Sequence, residues 1–266
     1  MRKMTDALFT VVLLAAATSV RAESSMLKTQ TGYDIGLSLS YYQYHEPGLM
    51  SLKGGKIGLN QRITKAFQND LFIRGDLRHA FGAVDYNSNG TGSAKGKLDL
   101  YLEIRGLVGK DWLTNAGVFS PYTGLGYRYL FNDLRGNTST GHWGYRRESN
   151  YLYLPIGFIH RTLLDSHAQL ESTVEYDHLL AGQQISYLSD VTGYSDVTNN
   201  QSKGYGLKLS IMYEKSKWAI GPYAHYWNID RSEIVPEIRF GVLTGRGLVE
   251  PENNTLEFGF KVRHQL

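Results

Sequence analysis

Two segments carry adjacent residues that could hydrolyse a peptide or ester bond. Asp177 and His178 are neighbours in "VEYDHLLAG", and Asp85 follows another apolar stretch. A carboxylate and an imidazole that converge on one water molecule can act as a general base. In an extended strand, however, neighbouring side chains point to opposite faces, so Asp177 and His178 should diverge. The pattern therefore argues against a shared hydrolytic site.

The second pair is Ser166 and His167 in "LLDSHAQLES". A serine beside a histidine can supply a nucleophile and its base. The pair lies in a short polar segment between two alternating stretches, so we interpret it as an ordinary turn. The eight histidines show no His-x-x-x-His spacing, and the chain has no cysteine. The sequence predicts no enzyme activity, no metal, no cofactor and no disulfide.

Composition restricts the class of protein further. The net charge of +3 over 266 residues argues against a nucleic-acid-binding protein, which needs a concentrated basic face. The length suits one large all-β domain or two small ones.

The N-terminal segment has the pattern of a secretory signal peptide. Arg2 and Lys3 precede an apolar run over residues 7–20, and Val20 and Ala22 form a small-residue cleavage pattern. The alternative is a membrane anchor, but the run is shorter than the roughly 20 residues that a spanning helix needs. We predict a cleaved signal peptide over residues 1–22 and one domain over residues 23–266.

Strict alternation of apolar and polar residues dominates the rest of the chain. In "KLDLYLEIRGLVG", Leu98, Leu100 and Leu102 share one face, and Asp99 and Glu103 share the other. Such alternation is typical of β-strands. About ten segments follow it, which predicts ten antiparallel strands, with eight or twelve as alternatives.

The connections between these segments alternate in length. "EKSK" is short, whereas "YNSNGTGSAKG", "NDLRGNTSTGHWGYRRESN" and "GQQISYLSDVTGYSDVTNNQSKG" are long and polar. In an up-and-down barrel this pattern puts the short turns at one end and the long loops at the other, as in outer-membrane barrels.

Three features favour a membrane barrel over a soluble one with an apolar interior. The alternating segments commonly exceed the five to six residues or so of soluble strands. Charges of both signs lie in the middle of the polar faces. Aromatic side chains lie near the ends of the segments, as in the girdles at membrane interfaces. These aromatic residues are Tyr41, Tyr44, Trp112, Tyr127, Tyr129, Trp143, Tyr151, Tyr153, Tyr213 and Trp218. We therefore predict an all-β fold, a single transmembrane antiparallel up-and-down barrel in the bacterial outer membrane with both termini periplasmic.

With its signal peptide, its "PYTGLGYRY" strand and its final strand "TLEFGFKVRHQL", the sequence resembles small bacterial outer-membrane β-barrels of the OmpA/OmpX/opacity type, at roughly omptin size. The resemblance implies contact with outer-membrane lipid and lipopolysaccharide, and recognition of the last strand by the barrel-assembly machinery. The residues that match this assembly signal are Phe258, Phe260, Val262 and Leu266. The full set of omptin protease motifs is missing.

The polar faces of the strands define a predicted network of charges in the lumen. Its members are Arg74, Asp76, Glu103, Arg105, Arg128, Glu171, Glu175, Lys208, Lys261 and Arg263. Such charges either line a narrow conduit or pair with one another and close it. In small barrels side chains essentially fill the interior, which favours a plug.

The segment "GHWGYRRES" is the best candidate for recognition of a partner. It places His142, Trp143, Tyr145, Arg146 and Arg147 together on one predicted outer loop. Aromatic and arginine side chains suit an anionic or sugar-bearing ligand, with lipopolysaccharide phosphates as the alternative.

The function predicted from the sequence is that of a non-enzymatic outer-membrane protein whose loops serve envelope integrity or surface interaction. A small channel for polar solutes is the alternative, and a hydrolase at the barrel rim is the third possibility. The sequence does not identify the ligand of the loops.

Overall fold

The computed structural model describes residues 27–266, and the predicted signal peptide lies outside this range. Strands make up most of the described chain. Their bounds are β1 (Gly32–Glu46), β2 (Met50–Ala66), β3 (Leu71–Ser88), β4 (Gly92–Lys110), β5 (Trp112–Thr114), β6 (Gly117–Asn137), β7 (Trp143–Asp165), β8 (Ala168–Tyr187), β9 (Val197–Gln201), β10 (Gly204–Lys215), β11 (Trp218–Ile229), β12 (Val235–Arg239), β13 (Val242–Leu248) and β14 (Asn253–Gln265).

Ten of these strands form a closed antiparallel barrel, in the order β1, β2, β3, β4, β6, β7, β8, β10, β11 and β14. The seam lies between the first strand and the last, where Leu37 is opposite Val262 and Tyr41 is opposite Phe258. The prediction of a ten-stranded transmembrane barrel, closed by its final strand, is confirmed.

The two ends of the barrel differ. Short turns such as residues 166–167 lie at the end where β1 begins and β14 ends, which we call the turn end. The opposite end, the loop end, carries β9, paired with the end of β8, and the separate β12–β13 hairpin. β5 is a short strand paired with β6 at the turn end.

Two of the predicted long loops are instead extensions of the barrel wall. The β3–β4 connection is reduced to residues 89–91 and the β6–β7 connection to residues 138–142. Polar, glycine-rich sequence did not prevent pairing here because the interstrand hydrogen bonds come from the backbone. A strand crosses a bilayer with about 9–11 residues, whereas β7 has 23. The wall therefore continues well beyond the membrane at the loop end.

The outward face of the barrel is apolar. Leu39, Ile57 and Phe260 are 51–64% exposed on the outside of the barrel. Rings form bands near the two edges of this surface, with Trp218 toward the turn end and Tyr176 and Tyr205 toward the loop end. Among residues 27–266, no helix has the length and apolar character needed to cross a membrane.

Three of the tyrosines predicted for the girdles face inward instead. Tyr44, Tyr151 and Tyr153 are buried in the barrel interior. Proximity to a strand end was the basis of the prediction, and it does not determine which face a side chain occupies.

The last strand presents its predicted apolar stripe to the outside. Phe258, Phe260, Val262 and Leu266 are all exposed there, and recognition of this stripe by the assembly machinery stays a prediction. His264 shares the stripe and packs against Trp218, with ring centroids 4.4 Å apart. This contact explains how a polar ring is accommodated on the apolar face.

We expect Leu209→Arg to destabilise the barrel by about 2–4 kcal/mol, the cost of an arginine at the middle of the lipid-facing surface. Leu209 is 51% exposed and lies midway between Tyr205 and Tyr213 on β10. Denaturant unfolding in lipid vesicles measures the effect. Val242→Arg, on the exposed β12–β13 hairpin, is the control that should change little. Equal stability of both variants would contradict the assignment of the lipid-facing surface.

Candidate functional site: the closed lumen and the loop-end cavity

Lys208 lies at the centre of the charged interior. Its Nζ is 2.7 Å from Glu103 Oε1, 3.2 Å from Glu175 Oε1 and 3.4 Å from Asp177 Oδ2. The Tyr153 hydroxyl donates a 2.6 Å hydrogen bond to Glu103. All these groups are buried, so one ammonium group compensates several carboxyl groups.

A second set of contacts continues from Glu175 toward the turn end. Arg105 donates to both Glu175 oxygens at 2.6 and 2.8 Å, and its Nε donates to Asp76 at 3.0 Å. Arg62 donates to the other Asp76 oxygen at 3.0 Å. Two guanidinium groups therefore enclose Asp76, and that of Arg62 also lies 3.8 Å from Glu171, which links this set to the next.

Glu171 is the corresponding centre nearer the turn end. Arg161 Nε donates to it at 2.9 Å and Arg263 Nη1 at 3.3 Å. Arg263 also pairs with Glu214. Together with the two sets above, these ion pairs form a continuous network across the lumen.

Three members of the predicted network form no ion pair among the described residues. Arg128 instead lies over Trp227, 5.0 Å from the ring, and donates to Thr255. Arg74 donates weakly to Thr64, and Lys261 lies 5.7 Å from the Tyr223 ring. The other seven predicted residues, Asp76, Glu103, Arg105, Glu171, Glu175, Lys208 and Arg263, are ion-paired.

The buried ion pairs that were missed from the sequence include two in the lumen. Lys56 pairs with Asp99, and Arg78 pairs with Glu257. All four residues lie on polar faces of alternating segments, so the same pattern could have included them.

Aromatic side chains fill the interior alongside the charges. Tyr101, Tyr151, Tyr153 and Trp227 belong to one buried apolar cluster, and Tyr153 meets Trp227 edge-on at 5.1 Å. The guanidinium of Arg128 lies over the rings of Tyr101 and Tyr151 in this layer.

The segment before β1 covers the turn end. Thr29 donates from its backbone nitrogen and its hydroxyl to the two oxygens of Asp111, at 2.6 and 2.9 Å. Arg161 donates to the same Thr29 hydroxyl at 3.2 Å. This segment is therefore tied to the same side chains that close the lumen.

The space inside the barrel is divided unequally. A gap in the lumen beside Arg105 and Lys208 measures about 90 Å³. At the loop end, a cavity of about 560 Å³ lies within the extended part of the wall. We call this space the loop-end cavity. Its apolar lining includes Met50, Leu134, Trp143, Val197 and Val249.

The floor of the loop-end cavity is a compact polar cluster. Arg147 Nη2 lies 2.8 Å from Glu46 Oε1 and 2.5 Å from Glu250 Oε1. The Tyr44 hydroxyl lies 2.8 Å from the first of these oxygens and 3.0 Å from the second. We call Tyr44, Glu46, Arg147 and Glu250 the floor cluster.

Glu250 has a shifted pKa. It precedes β14, outside the barrel strands, and is nearly inaccessible to solvent. Burial and the neighbouring Glu46 carboxylate raise the pKa of Glu250 to about 7, against the opposing effect of Arg147. Near neutral pH both the charged and the neutral form of this carboxyl group are therefore populated.

The predicted outer-loop group is not on one loop. Trp143, Tyr145, Arg146 and Arg147 lie on β7, and only His142 lies in the turn before it. Strand alternation separates the two arginines: Arg147 is buried in the floor cluster, whereas Arg146 pairs with Asp190 at 2.9 Å. The assignment to one loop was wrong because the strand continues through this segment. His142, Trp143, Tyr145 and Arg147 nevertheless all line the loop-end cavity, and their role in binding stays a prediction.

The two candidate hydrolytic pairs lie in different surroundings. Asp177 is buried beside Lys208, and His178 points outward, where it stacks with Tyr176. Ser166 and His167 are hydrogen-bonded at 2.7 Å in the exposed β7–β8 turn. Asp165 accepts a hydrogen bond there from the backbone of His167, so it does not orient the ring. Within residues 27–266, no group of three or more acidic or histidine side chains could hold a metal ion.

No protein-family model matches the sequence, and no curated protein is significantly similar to it. Among solved structures, the chain resembles the outer membrane protease OmpT from Escherichia coli, with 9% identity, a TM-score of 0.53, and coverage of 88% of this chain and 97% of OmpT. The translocator domain of the autotransporter NalP from Neisseria meningitidis has 12% identity and a TM-score of 0.40, covering 97% of this chain and 98% of that one. An outer membrane channel from Pseudomonas putida F1 has 12% identity and a TM-score of 0.38, covering 90% of this chain and 97% of the channel.

At 9% identity the likeness to OmpT concerns the fold alone. The fold is that of a single-chain outer-membrane β-barrel with ten strands.

We expect Lys208→Met to destabilise the barrel by about 3–5 kcal/mol, because it leaves buried carboxylates without their cation. The double variant Lys208→Met/Glu103→Gln should recover part of this loss, since one uncompensated charge is removed. Denaturant unfolding in vesicles measures both variants. Lys203→Met, at an exposed position before β10, is the control and should stay within about 0.5 kcal/mol of the parent protein. A Lys208→Met variant as stable as this control would show that the lumen network is not needed for stability.

Proposed function

We propose that the protein is a closed outer-membrane barrel that binds a small ligand at the cell surface and does not conduct solutes. The observation that carries this proposal is the contrast between the filled lumen and the loop-end cavity above it. The cavity has about 560 Å³ of space, against about 90 Å³ in the lumen.

Several groups of side chains in the barrel interior support the proposal that the lumen does not conduct ions. A permeating ion would have to separate the contacts of Lys208 with Glu103 and those of Arg105 with Glu175. Breaking a buried ion pair costs several kcal/mol, because it leaves a buried charge without its partner. The aromatic cluster around Trp227 and the Thr29 segment add further obstacles.

The cavity has the general properties of a ligand site. Its walls are mostly apolar, and its two carboxyl groups and its arginine belong to the floor cluster. Ligand sites are commonly concave and apolar, with a few polar groups that orient the ligand. We propose no catalysis, since the candidate hydrolytic pairs are separated or exposed as described above.

The proposed location is the bacterial outer membrane, with both termini in the periplasm and the loop-end cavity facing the exterior. The OmpA/OmpX/opacity-type relationship stays a prediction. The apolar outer surface and the aromatic bands support contact with outer-membrane lipid and lipopolysaccharide.

Planar-bilayer recording tests the closed lumen. We expect no discrete conductance steps from the purified protein, whereas an open porin reconstituted in the same way should conduct. Reproducible steps whose size changes in Glu175→Gln would contradict the proposal, because they would place the ion path in the lumen.

Because the chain has no cysteine, single introduced thiols can test the orientation. We expect Asn89→Cys, at the rim of the cavity, to react on intact cells with a maleimide on a polymer too large to pass porins. Ser166→Cys, in a turn at the other end, should react only after the outer membrane is permeabilised. Labelling is read from the mobility of the protein on a gel, and the reverse pattern would overturn the proposed orientation.

A further inference from the structure

The floor of the loop-end cavity has an excess of negative charge. Two carboxyl groups, those of Glu46 and Glu250, share the guanidinium of Arg147. The other lining side chains, His142 aside, carry no charge. With both carboxylates ionised, the cavity therefore carries a net charge of −1.

The hydrogen bonds of the floor cluster leave half of each carboxylate available. Among residues 27–266, the donors Tyr44 and Arg147 contact Oε1 of Glu46 and Oε1 of Glu250. No described side chain donates to either Oε2 atom, although both residues are buried and line the cavity. Each of these two residues therefore lines an apolar space and has one acceptor oxygen without a described side-chain donor.

We propose that the cavity binds an amphipathic cation, with a protonated amine at the floor cluster and an apolar body against the wall. This inference rests on the proposed function. The ammonium group would donate hydrogen bonds to the carboxylate oxygens of Glu46 and Glu250 that Arg147 does not contact. Leu134, Trp143 and Val197 would contact the apolar part of the ligand.

Charge complementarity distinguishes this class from other amphiphiles. A buried carboxylate without a full set of partners is costly, and a cation with N–H donors removes both the charge imbalance and the unmade hydrogen bonds. An anionic head group would add to the negative charge. A neutral hydroxyl could donate one hydrogen bond but would leave the charge uncompensated.

Protonation of Glu250 should make the affinity for the cation depend on pH. The groups that face it are Glu46 and Tyr44 from β1 and Arg147 from β7, with Tyr145 beside Arg147. Because the pKa of Glu250 lies near 7, a bound ammonium group competes with a proton at this carboxylate. Affinity for the cation should rise as pH increases from about 6 to about 8.

The test uses three probes with one carbon skeleton: 3-phenylpropylammonium, 3-phenylpropanol and 3-phenylpropanoate. Titration calorimetry on the full barrel in lipid nanodiscs measures their affinities. We expect the ammonium probe to bind about tenfold more tightly than the alcohol, as expected for one charge-assisted hydrogen bond, and the carboxylate probe to bind most weakly.

Matched variants test whether the preference for the ammonium probe depends on the floor cluster. Glu250→Gln should remove the preference for the ammonium probe and its pH dependence. Glu252→Gln, an exposed position two residues along the chain, should leave both unchanged. His142→Gln should keep the pH dependence if Glu250 causes it. Glu46→Gln provides a second floor variant, and heat-modifiable gel migration shows that each variant is folded.

The outcomes separate the two proposals. If the three probes bind equally, or if Glu250→Gln retains the ammonium preference, the cation inference is overturned while the cavity remains a ligand site. If no probe binds, the proposed function and the cation inference both fail. Val197→Trp, which fills the cavity, should abolish binding of every probe if the cavity is the site.

Discussion

The pairing of β14 with β1 is the interaction on which the rest of the structure depends. A strand inside a bilayer has no water to satisfy its backbone N–H and C=O groups, so an open sheet edge there is prohibitively costly. The seam runs from the Asp34–Gln265 pair to the His45–Asn254 pair and removes that edge. Once the sheet is closed, every strand has one face toward lipid and one toward the interior.

Closure then determines the chemistry of the interior. Ten strands enclose a narrow space, and the polar face of each strand contributes side chains to it. The charges are of both signs, so they reach stable positions by pairing, as Arg105 does with Asp76 and Glu175. A buried pair of this kind adds little net stability by itself, but removal of either partner is costly. The plug is thus a consequence of burying many charges in a small volume, and it needs no additional plug domain.

Alternation in the sequence was sufficient to predict the ten strands, the closure by "TLEFGFKVRHQL" and the divergence of Asp177 and His178. Alternation specifies the face of a residue but contains no information about its distance from residues on other strands. For this reason Arg74, Arg128 and Lys261 were assigned to the charge network, although their contacts are to hydroxyl groups and aromatic rings. The floor cluster could not be predicted at all, since Glu46 and Glu250 come from opposite ends of the chain and Glu250 lies in a connection without periodicity.

The change of solvent along the outside of the wall explains why the loop-end cavity is apolar. Strands β2 and β3 keep their inward and outward phase beyond the membrane, but the solvent outside the wall changes from lipid to water. The chemistry of the two faces is therefore exchanged: Leu52 and Val84 point inward and are fully buried, whereas Lys53 and Asp85 beside them point outward. A rule that assigns polar residues to the lumen therefore holds within the bilayer and fails above it. The extended wall encloses an apolar interior like that of a soluble β-barrel, and the floor cluster marks where this interior meets the charged lumen.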